Sequence, residues 1–322
     1  MGAGSSIRRT PQPNKSNAEV VSSLRSNFKD HASSPPMPDG HANDNGNDST
    51  TANYQLWTKQ RSSNAGLEIP ALDFTNSALE EERDQYDITL KLFYLPGASS
   101  THRAAETREA VDLVLKELHM PSVDLLIVSF PGIYFDEKED CPDKISTRGP
   151  VEAEPEPLES QIEAWKVLEA LKEEGLVRKL GVAEFGHDRL KAFLEKTSIR
   201  PGVDQVNLRD CCSVPRDLMA LAKKEGVELL VHNDCSNILP RGTVRELLGP
   251  VEKGGVGVLA QTDRTGDKRK SLHGEDGADG VASGRGLKGE VQPLWVVKYT
   301  AVVKNRGVVE NKGYFAAADL MP

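Results

Sequence analysis

The sequence predicts an α/β fold built on a parallel sheet, which we interpret as a TIM barrel. Strand-like and helix-like segments alternate at a steady spacing through the middle of the 322-residue chain, as in repeated βαβ units. Residues 123–130 (VDLLIVSF) are almost continuously apolar, which is typical of a strand buried on both faces of a parallel sheet. A doubly wound sheet fits the same pattern. We favour the barrel because no G-x-G-x-x-G turn follows the first strand and no G-x-x-x-x-G-K-[ST] turn occurs.

The individual elements follow from apolar spacing and from the residues that end helices. Strands are predicted where β-branched and apolar residues cluster, at residues 87–95, 123–130, 177–185, 201–208 and 227–233. Helices are predicted where apolar residues recur every three or four positions, at residues 103–118, 160–174, 189–196 and after Pro215. Gly175 and Gly226 follow two of these helices, which is the usual position of a C-terminal glycine.

The N-terminal residues 1–66 carry too few apolar residues to form a core of their own. They are rich in Ser, Asn, Asp, Pro and Gly, so burial cannot offset the entropy of ordering them. We predict that this segment is mostly disordered, although residues 20–28 and 54–60 could each form a short helix.

Two further segments interrupt the regular part of the chain. Residues 133–157 are acidic and proline-rich and are predicted to form a long loop. Residues 262–290 are of low complexity and are predicted to be a disordered insertion. A single domain at residues 67–318 contains both. Without them it is shorter than the ~250 residues of a typical barrel, so we expect the barrel to be trimmed.

Charge and composition exclude several classes of protein. The chain carries 40 Lys and Arg against 49 Asp and Glu, a net charge of −9, whereas nucleic-acid binding needs a basic surface. No apolar run approaches the ~20 residues that span a bilayer, and the first residues lack the apolar stretch of a secretory signal. The start, MGAGSS, fits a myristoylation pattern, but one acyl chain beside two arginines gives only marginal membrane affinity. We therefore predict a cytoplasmic protein without stable membrane association.

Four consecutive motifs resemble the middle of an aldo-keto reductase. They are VDLLIVSFP (123–131), ALKEEGLVRKLGVAEF (170–185), PGVDQVNL (201–208) and KKEGVELLVHN (223–233). Their order and spacing match the strand–helix units of that family, so the resemblance implies its TIM-barrel fold. It also implies a chemistry to be tested, in which NADPH delivers a hydride to a carbonyl with help from a Tyr, a Lys, an Asp and a His.

The resemblance allows each catalytic role to be checked against this sequence. Lys91 matches the family's strand lysine, and Asp73 is a weaker candidate for the aspartate. Ser129 stands in place of the catalytic His. The catalytic Tyr is missing at its expected spacing, since Tyr86 and Tyr94 lie elsewhere. Because a general acid must be a positioned group with a tuned pKa, its loss predicts that the chain is not an enzyme and that Lys91 is vestigial.

The cofactor residues that the resemblance implies are altered as well. Glu184 stands where the family has an asparagine that binds the nicotinamide amide group. His232 stands where an aromatic residue stacks on the nicotinamide, and Gln205 is retained as a remnant. We expect no bound cofactor. The alternative is NADPH binding, either by an altered reductase or by a regulator that senses NADPH.

Three further features resemble a narrower group within the same superfamily. Paired cysteines after QVNL, the HND tripeptide (232–234) and a K-x-R-G-x-x-x-x-K-G-Y pattern (304–314) resemble the regulatory (modifier, light-chain) subunits of glutamate–cysteine ligase. The resemblance covers about residues 67–261 and 291–318. It implies a non-catalytic subunit in glutathione biosynthesis that forms a heterodimer with the ligase catalytic subunit. Such a subunit improves glutamate use and relieves feedback inhibition by glutathione.

The surface for this partner is predicted at the C-terminal ends of the strands, where barrel proteins carry function, together with residues 295–314. The candidates are Asn207, Cys211, Cys212, His232, Asn233 and Asp234. The cysteines are more simply interpreted as small buried residues at a strand end, and an intersubunit disulfide stays open. Because consecutive strand residues point to opposite faces, residues 232–235 are not expected to bind a metal.

Overall fold

The computed structural model describes residues 15–33, 53–61, 66–135, 153–208, 213–234, 237–260 and 286–321. Its helices are α1 (Lys15–Ser33), α2 (Arg103–Leu118), α3 (Leu158–Glu173), α4 (His187–Lys196), α5 (Arg216–Glu225) and α6 (Arg241–Leu248). Its strands are β1 (Lys59–Gln60), β2 (Leu67–Glu68), β3 (Tyr86–Tyr94), β4 (Val123–Ser129), β5 (Val177–Ala183), β6 (Val203–Asn207), β7 (Glu228–His232), β8 (Glu290–Val303) and β9 (Val308–Met321). Short 3-10 helices lie at Asn53–Leu56, Arg83–Gln85, Ser100–His102 and Val251–Lys253.

Seven of these strands form one sheet in the order β7-β6-β5-β4-β3-β8-β9. Strands β3 to β7 are parallel, and α2, α3, α4 and α5 connect them in turn. On the other side of β3, the antiparallel hairpin of β8 and β9 extends the sheet. The predicted α/β fold with a parallel sheet is therefore confirmed. Within the described residues, the sheet consists of five parallel strands and one antiparallel hairpin, fewer parallel strands than a complete barrel has.

The predicted strands and helices between residues 87 and 233 are all present, with ends shifted by at most a few residues. Gly226 shows why one of these ends was predictable. It adopts φ 72° directly after α5, and its N–H donates to the carbonyl of Ala222. This left-handed conformation suits a residue without a Cβ and stops the helix.

The two faces of the sheet bury different cores. Even-numbered residues of β3, such as Leu90 and Leu92, pack beneath the helices α2 to α5 in the larger core. Phe93 faces the opposite way and joins a second core with α1 and α6. Because side chains alternate along a strand, Lys91 must also point away from the helices α2 to α5.

The N-terminal segment contains a helix in the region where the sequence allowed one, and the prediction that residues 1–66 are mostly disordered stays a prediction. Helix α1 is 19 residues long rather than a short helix at 20–28, and its residues Val20 and Phe28 are buried in the second core with Trp57. Val20, Leu24 and Phe28 recur every four positions, which gives the helix one apolar face for the sheet. The segment therefore supplies part of the fold, while residues 1–14, 34–52 and 62–65 lie outside the described residues.

The β8–β9 hairpin was not predicted from the sequence. The described residues 133–135 and 153–157 flank the acidic loop, and residues 286–290 lead from the insertion into β8. The predicted loop and insertion otherwise fall on residues 136–152 and 261–285, outside the described part of the chain. The division into a tail and one interrupted domain stays a proposal.

Candidate functional site

The candidate site lies on the face of the sheet opposite α2 to α5, around the only lysine of β3. Lys91 is 4% exposed, and its Nζ lies 3.2 Å from Asp234 Oδ2 and 3.1 Å from His232 Nδ1. His232 ends β7 and Asp234 follows it, so both come from the far edge of the parallel sheet. Contact between β3 and the end of β7, four strands apart, shows that the sheet curls towards closure as a barrel does.

A second lysine reaches the same carboxylate. Lys298 on β8 is paired directly opposite Lys91 on β3, and its Nζ lies 3.2 Å from Asp234 Oδ1. Like charges placed opposite each other in a sheet destabilise it. Asp234 removes this repulsion by giving one carboxylate oxygen to each ammonium group. The result is a Lys91–Asp234–Lys298 triad that joins β3, β7 and β8.

His232 and Glu184 continue this network. The backbone N–H of Asp234 donates to His232 Nδ1 over 3.0 Å, so that nitrogen accepts and the ring proton is assigned to Nε2. His232 Nε2 lies 2.7 Å from Glu184 Oε1. Glu184 Oε2 accepts the N–H of Phe135 over 2.9 Å. We call Lys91, Asp234, Lys298, His232 and Glu184 the ion network.

Glu184 reaches this position through an uncommon backbone conformation. It has a φ of 68°, and its N–H donates to the carbonyl of Gln205 over 2.9 Å. A residue with a Cβ pays about 1–2 kcal/mol for the left-handed conformation, which persists only where the surroundings impose it. Glu184 is 2% exposed, so its carboxylate is fixed inside the network rather than free in solvent.

The network lowers the pKa values of Lys91 and Asp234 for different physical reasons. Burial lowers the pKa of Lys91, although Asp234 and Glu184 oppose the shift. Burial alone would raise the pKa of Asp234, but the nearby Lys91 and Lys298 outweigh it and lower that pKa. Two lysines thus face two carboxylates, and the charges balance within the chain. Lys91 Nζ makes its hydrogen bonds to His232 and Asp234, and none to a tyrosine hydroxyl among the described residues.

Asp204 is a second buried carboxyl near this edge, on β6. Its Oδ1 accepts the N–H of Phe185 over 3.3 Å, and no described residue contacts its Oδ2 within hydrogen-bond distance. Burial raises the pKa of Asp204 well above its usual value, with a further contribution from Glu184. The raised pKa favours the neutral acid, because a neutral carboxyl costs less than an unpaired buried charge.

The structure assigns Lys91 a different acid from the one suggested by the sequence. Asp73 is exposed, and its Oδ1 accepts from the N–H and hydroxyl of Thr75 over 2.9 and 2.7 Å. The weak proposal of Asp73 as the partner of Lys91 is thus replaced by Asp234. Lys298 was not singled out, although the sequence signal existed: a lone lysine among apolar residues in PLWVVKYTAVV.

The tyrosines near the site do not provide a proton donor of the reductase type. Tyr86 and Tyr94 lie on the helix side of β3, where Tyr86 donates to Glu310 and the Tyr94 hydroxyl contacts Thr107 at 2.6 Å. Tyr314 is paired with Lys298 across β9 and β8. Burial raises the pKa of Tyr314, and the negative charges of Glu19 and Asp234 raise it further. A general acid in this fold would need the opposite shift.

The remaining sequence-predicted residues divide between buried and exposed positions. Ser129 is buried at the end of β4, and no described residue makes a hydrogen bond to Gln205 Oε1. Asn207 is buried, and its Nδ2 donates to the Asp234 carbonyl over 3.0 Å. Asn233 is exposed. Cys211 and Cys212, like Cys141 and Cys235, lie outside the described residues.

The interface assignment stays a prediction. Asn207, His232 and Asp234 hold the chain's own strand ends together, and Asn233 is the exposed residue among the described candidates. No group of His, Cys, Asp and Glu side chains within the described ranges is arranged to hold a metal ion. Among the helices described, none is both long and apolar enough to cross a bilayer.

Comparison with known proteins gives two kinds of relatives. The glutamate–cysteine ligase regulatory subunit of Mus musculus is 28% identical over 268 residues, which are 81% of this chain and 79% of that protein. The putative glutamate–cysteine ligase regulatory subunit of Schizosaccharomyces pombe is 26% identical over 246 residues, 73% of this chain and 72% of that protein. Aldo-keto reductase family 1 member A1 of Rattus norvegicus is 28% identical over 151 residues, 47% of this chain and 43% of that protein.

Among solved structures, the aldose reductase of Schistosoma japonicum is 23% identical, with a TM-score of 0.34 over 46% of this chain and 46% of that chain. The family comparison is more extensive. The model of the aldo/keto reductase family matches residues 68–237, just over half of the sequence and the part that contains β3 to β7. This chain therefore belongs to the aldo/keto reductase family.

Proposed function

We propose that this protein is a non-catalytic regulatory subunit that binds the catalytic subunit of glutamate–cysteine ligase. In this role it improves glutamate use by the ligase and relieves feedback inhibition by glutathione. The observation that carries the proposal is the ion network, in which Asp234 and His232 engage the one lysine that a reductase would use. We infer the identity of the partner from the names of the relatives that are 26–28% identical to this chain.

The ion network argues against carbonyl reduction by this chain. Reduction needs a hydroxyl whose pKa is lowered by a neighbouring ammonium group. Lys91 is instead bound to Asp234 and His232, and Tyr314, which lies beside Lys298, has a raised pKa. We therefore propose that Lys91 now stabilises the strand ends rather than a reacting carbonyl.

The residues of this edge also do not fit a nicotinamide cofactor. Glu184 is a buried carboxylate 2.7 Å from His232, so it offers only acceptors where a neutral amide partner is required. His232 is held edge-on by Glu184 and Lys91 and is not an open aromatic surface. We propose that no nicotinamide participates in the function of this protein and that it acts in the cytoplasm.

Regulation by such a subunit is a linkage effect. A partner that binds one state of an enzyme more tightly than another shifts the population towards the first state. A coupling free energy of about 1–3 kcal/mol changes an apparent affinity roughly 5- to 150-fold. That range is enough to lower the glutamate concentration needed by the ligase and to weaken inhibition by glutathione.

The test is co-purification with the ligase catalytic subunit of the same organism, followed by ligase assays. We expect a one-to-one complex, higher activity at low glutamate and a higher glutathione concentration for half-inhibition. A heat-unfolded sample of the same chain serves as the control for added protein. Absence of a complex, together with unchanged ligase kinetics, would contradict the proposal.

One observation favours a second candidate, a regulator that senses NADPH. Gln205 Oε1 has no hydrogen-bond partner among the described residues, and this residue is the retained cofactor contact. Fluorescence titration with NADPH, and with the Gln205→Leu variant as the matched control, tests this candidate. Saturable binding that the substitution weakens would support it, whereas turnover of a generic aldehyde would support the reductase instead.

A further inference from the structure

Strand β9 ends the sheet and leaves one edge unpaired. It pairs with β8 along its full length, and no other described strand lies beside it. At 14 residues it is a long edge strand. An exposed edge of this kind presents a row of unpaired N–H and C=O groups, which is a template for an added strand.

The register shows which backbone groups point outwards. Leu95 N–H donates to the Leu294 carbonyl, and Lys304 N–H donates to the Gln85 carbonyl, so even-numbered residues of β8 are bonded to β3. The odd-numbered residues of β8 must then be bonded to β9, because the two directions alternate along an antiparallel strand.

The same alternation applies on β9 itself. Phe315 is paired with Val297 and Gly313 with Tyr299, so these odd-numbered β9 residues are bonded to β8. Their neighbours Lys312, Tyr314 and Ala316 consequently direct their N–H and C=O groups to the free edge. No described residue occupies these groups with a backbone hydrogen bond.

A cavity of about 880 Å³ runs along this edge. Residues 311–320 of β9 and residues 66–74 both line it without interruption. Helices α1 and α2 also contribute lining residues, among them Leu24, Phe28 and Leu113. We call this space the β9 cleft. Its shape, open along a strand edge with apolar walls, suits an extended peptide.

The β9 cleft contains buried polar groups that lack partners. Trp295 is 1% exposed and lines the cleft, yet its Nε1–H has no acceptor among the described residues. Glu106 is 9% exposed and also lines the cleft, and its Oε2 has no donor there. Burial raises the pKa of Glu106, because the charges of His102 and Arg103 offset its desolvation only in part. Unsatisfied buried groups are costly, and a bound peptide would give them partners.

The charges of the β9 cleft favour a basic occupant. Its cations are already neutralised, since Arg61 pairs with Glu68 and Glu109, and Lys312 pairs with Glu19 outside the lining. The remaining carboxyl groups that line the cleft belong to Asp73, Glu106, Glu117 and Asp319. A second copy of β9 would bring Glu310 and Asp319 against these groups with only Lys312 to offset them, which argues against self-pairing.

We propose that the β9 cleft receives an extended segment of the ligase catalytic subunit, with Lys or Arg side chains, as an added strand beside β9. The identity of this partner rests on the proposed function. The segment bonds to the backbone of Lys312, Tyr314 and Ala316, its carbonyl groups accept the Trp295 N–H, and its cations pair with the acidic lining. Strand addition of this kind takes affinity from backbone bonds and specificity from side chains.

The backbone bonds are tested with Ala316→Pro and its matched control Ala316→Ser. Proline removes the outward N–H of an exposed edge position and leaves the bonds to β8 in place, whereas serine keeps the N–H. We expect Ala316→Pro to weaken binding to the catalytic subunit at least tenfold and Ala316→Ser to stay within threefold of wild type. Equal affinity of all three proteins, each with an unchanged melting temperature, would overturn the proposal.

The charges are tested with Asp319→Lys, a substitution at an exposed position that does not depend on proline being tolerated. We expect weaker binding and a smaller dependence of the dissociation constant on salt. Lys223→Glu on the exposed surface of α5 is the control for net charge and should bind as wild type does. A loss shared equally by both charge variants would contradict a local acidic site.

Hydrogen exchange separates the outcomes. The outward amides of Lys312, Tyr314 and Ala316 should exchange quickly in the free chain and become protected in the complex, whereas the β9 amides bonded to β8 are slow in both. Protection of the outward amides already present in the free chain would mean that the chain itself or a second copy fills the cleft, and light scattering tells these apart; either result overturns the proposal. A complex that forms without protection of β9 contradicts this inference alone, whereas the absence of any complex contradicts the proposed function.

Discussion

Replacing Asp234 with Asn removes the carboxylate that separates two facing lysines. In the wild-type protein, Lys91 and Lys298 lie opposite each other on β3 and β8, each with its Nζ 3.2 Å from one oxygen of Asp234. Removing one partner of a buried ion pair costs about 3–5 kcal/mol. The lower end applies here, because Lys298 is 27% exposed at its side chain and His232 still contacts Lys91. We expect Asp234→Asn to lower the free energy of unfolding by about 3 kcal/mol at pH 7.

The pH dependence of this loss distinguishes the ion network from simple loss of packing. Burial depresses the pKa of Lys91 in the folded state, so its protonated form opposes folding. Without Asp234 this opposition grows, and it is relieved as pH rises through the folded pKa towards the unfolded value near ~10.4. The destabilisation by Asp234→Asn should therefore be smaller at pH 9.5 than at pH 7.

The assay is urea unfolding of four proteins at both pH values: wild type, Asp234→Asn, Lys91→Met and the double variant. Lys91→Met removes the like-charge contact and leaves Asp234 paired with Lys298, so we expect a loss of only about 1 kcal/mol. The double variant should be more stable than Asp234→Asn alone. A double variant that loses the sum of the two single effects, or a penalty that is equal at both pH values, would refute the reasoning.

Three further predictions concern other parts of the fold. The pKa of Asp204 is raised in the folded state, so its contribution to stability is complete below the usual Asp pKa of ~3.9 and is lost as pH rises through the folded pKa. Asp204→Asn should therefore be more stable than wild type at pH 8 and equally stable near pH 4. Urea unfolding that gives the same difference in stability at both pH values would contradict this prediction. Glu156→Gln breaks the buried ion pair with Arg103, whose guanidinium lies 4.6 Å from the centre of the Tyr94 ring. In the same assay it should lower the free energy of unfolding by about 3 kcal/mol. The control Glu159→Gln, on the exposed surface of α3, should lower it by less than about 0.5 kcal/mol. Phe28→Ala should lower the free energy of unfolding by about 3 kcal/mol and speed hydrogen exchange in α1. The control Ser26→Ala, at an exposed position, should change neither quantity. Unchanged exchange in Phe28→Ala would mean that α1 does not depend on the second core.

The regular elements were predictable because their signals are local. Helix α2 was predicted with its observed ends, since Val111, Val114 and Leu118 share one face and the next residue cannot continue the pattern. The strand β4 was recognised because VDLLIVSF is almost continuously apolar, with Asp124 as its one charged residue. Helix α1 was underestimated because its apolar residues are sparse, and they form a helix only when the sheet provides a core to cover.

The ion network was only partly predictable, because its contacts join residues far apart in the chain. Lys91 was found through its place in a family motif, but its acid, Asp234, is 143 residues away. Alternation within the HND tripeptide predicts that consecutive side chains point to opposite faces, but it does not reveal that His232 and Asp234 both contact Lys91. The curl of the sheet brings the end of β7 to β3, and no local pattern encodes that curl.

The ion network and the β9 cleft have a common physical basis in the β8–β9 hairpin. Lys298 on β8 and Lys91 on β3 both form ion pairs with Asp234, which directly follows β7. The hairpin is thereby fixed at both β3 and β7, and the free edge of β9 is held on a rigid support. A rigid edge loses little entropy when a strand is added, which favours binding without any chemistry at the site. Under the proposed function, the lysine that matches a catalytic position would serve binding instead, since Lys91 contributes to the support of β9 through Asp234.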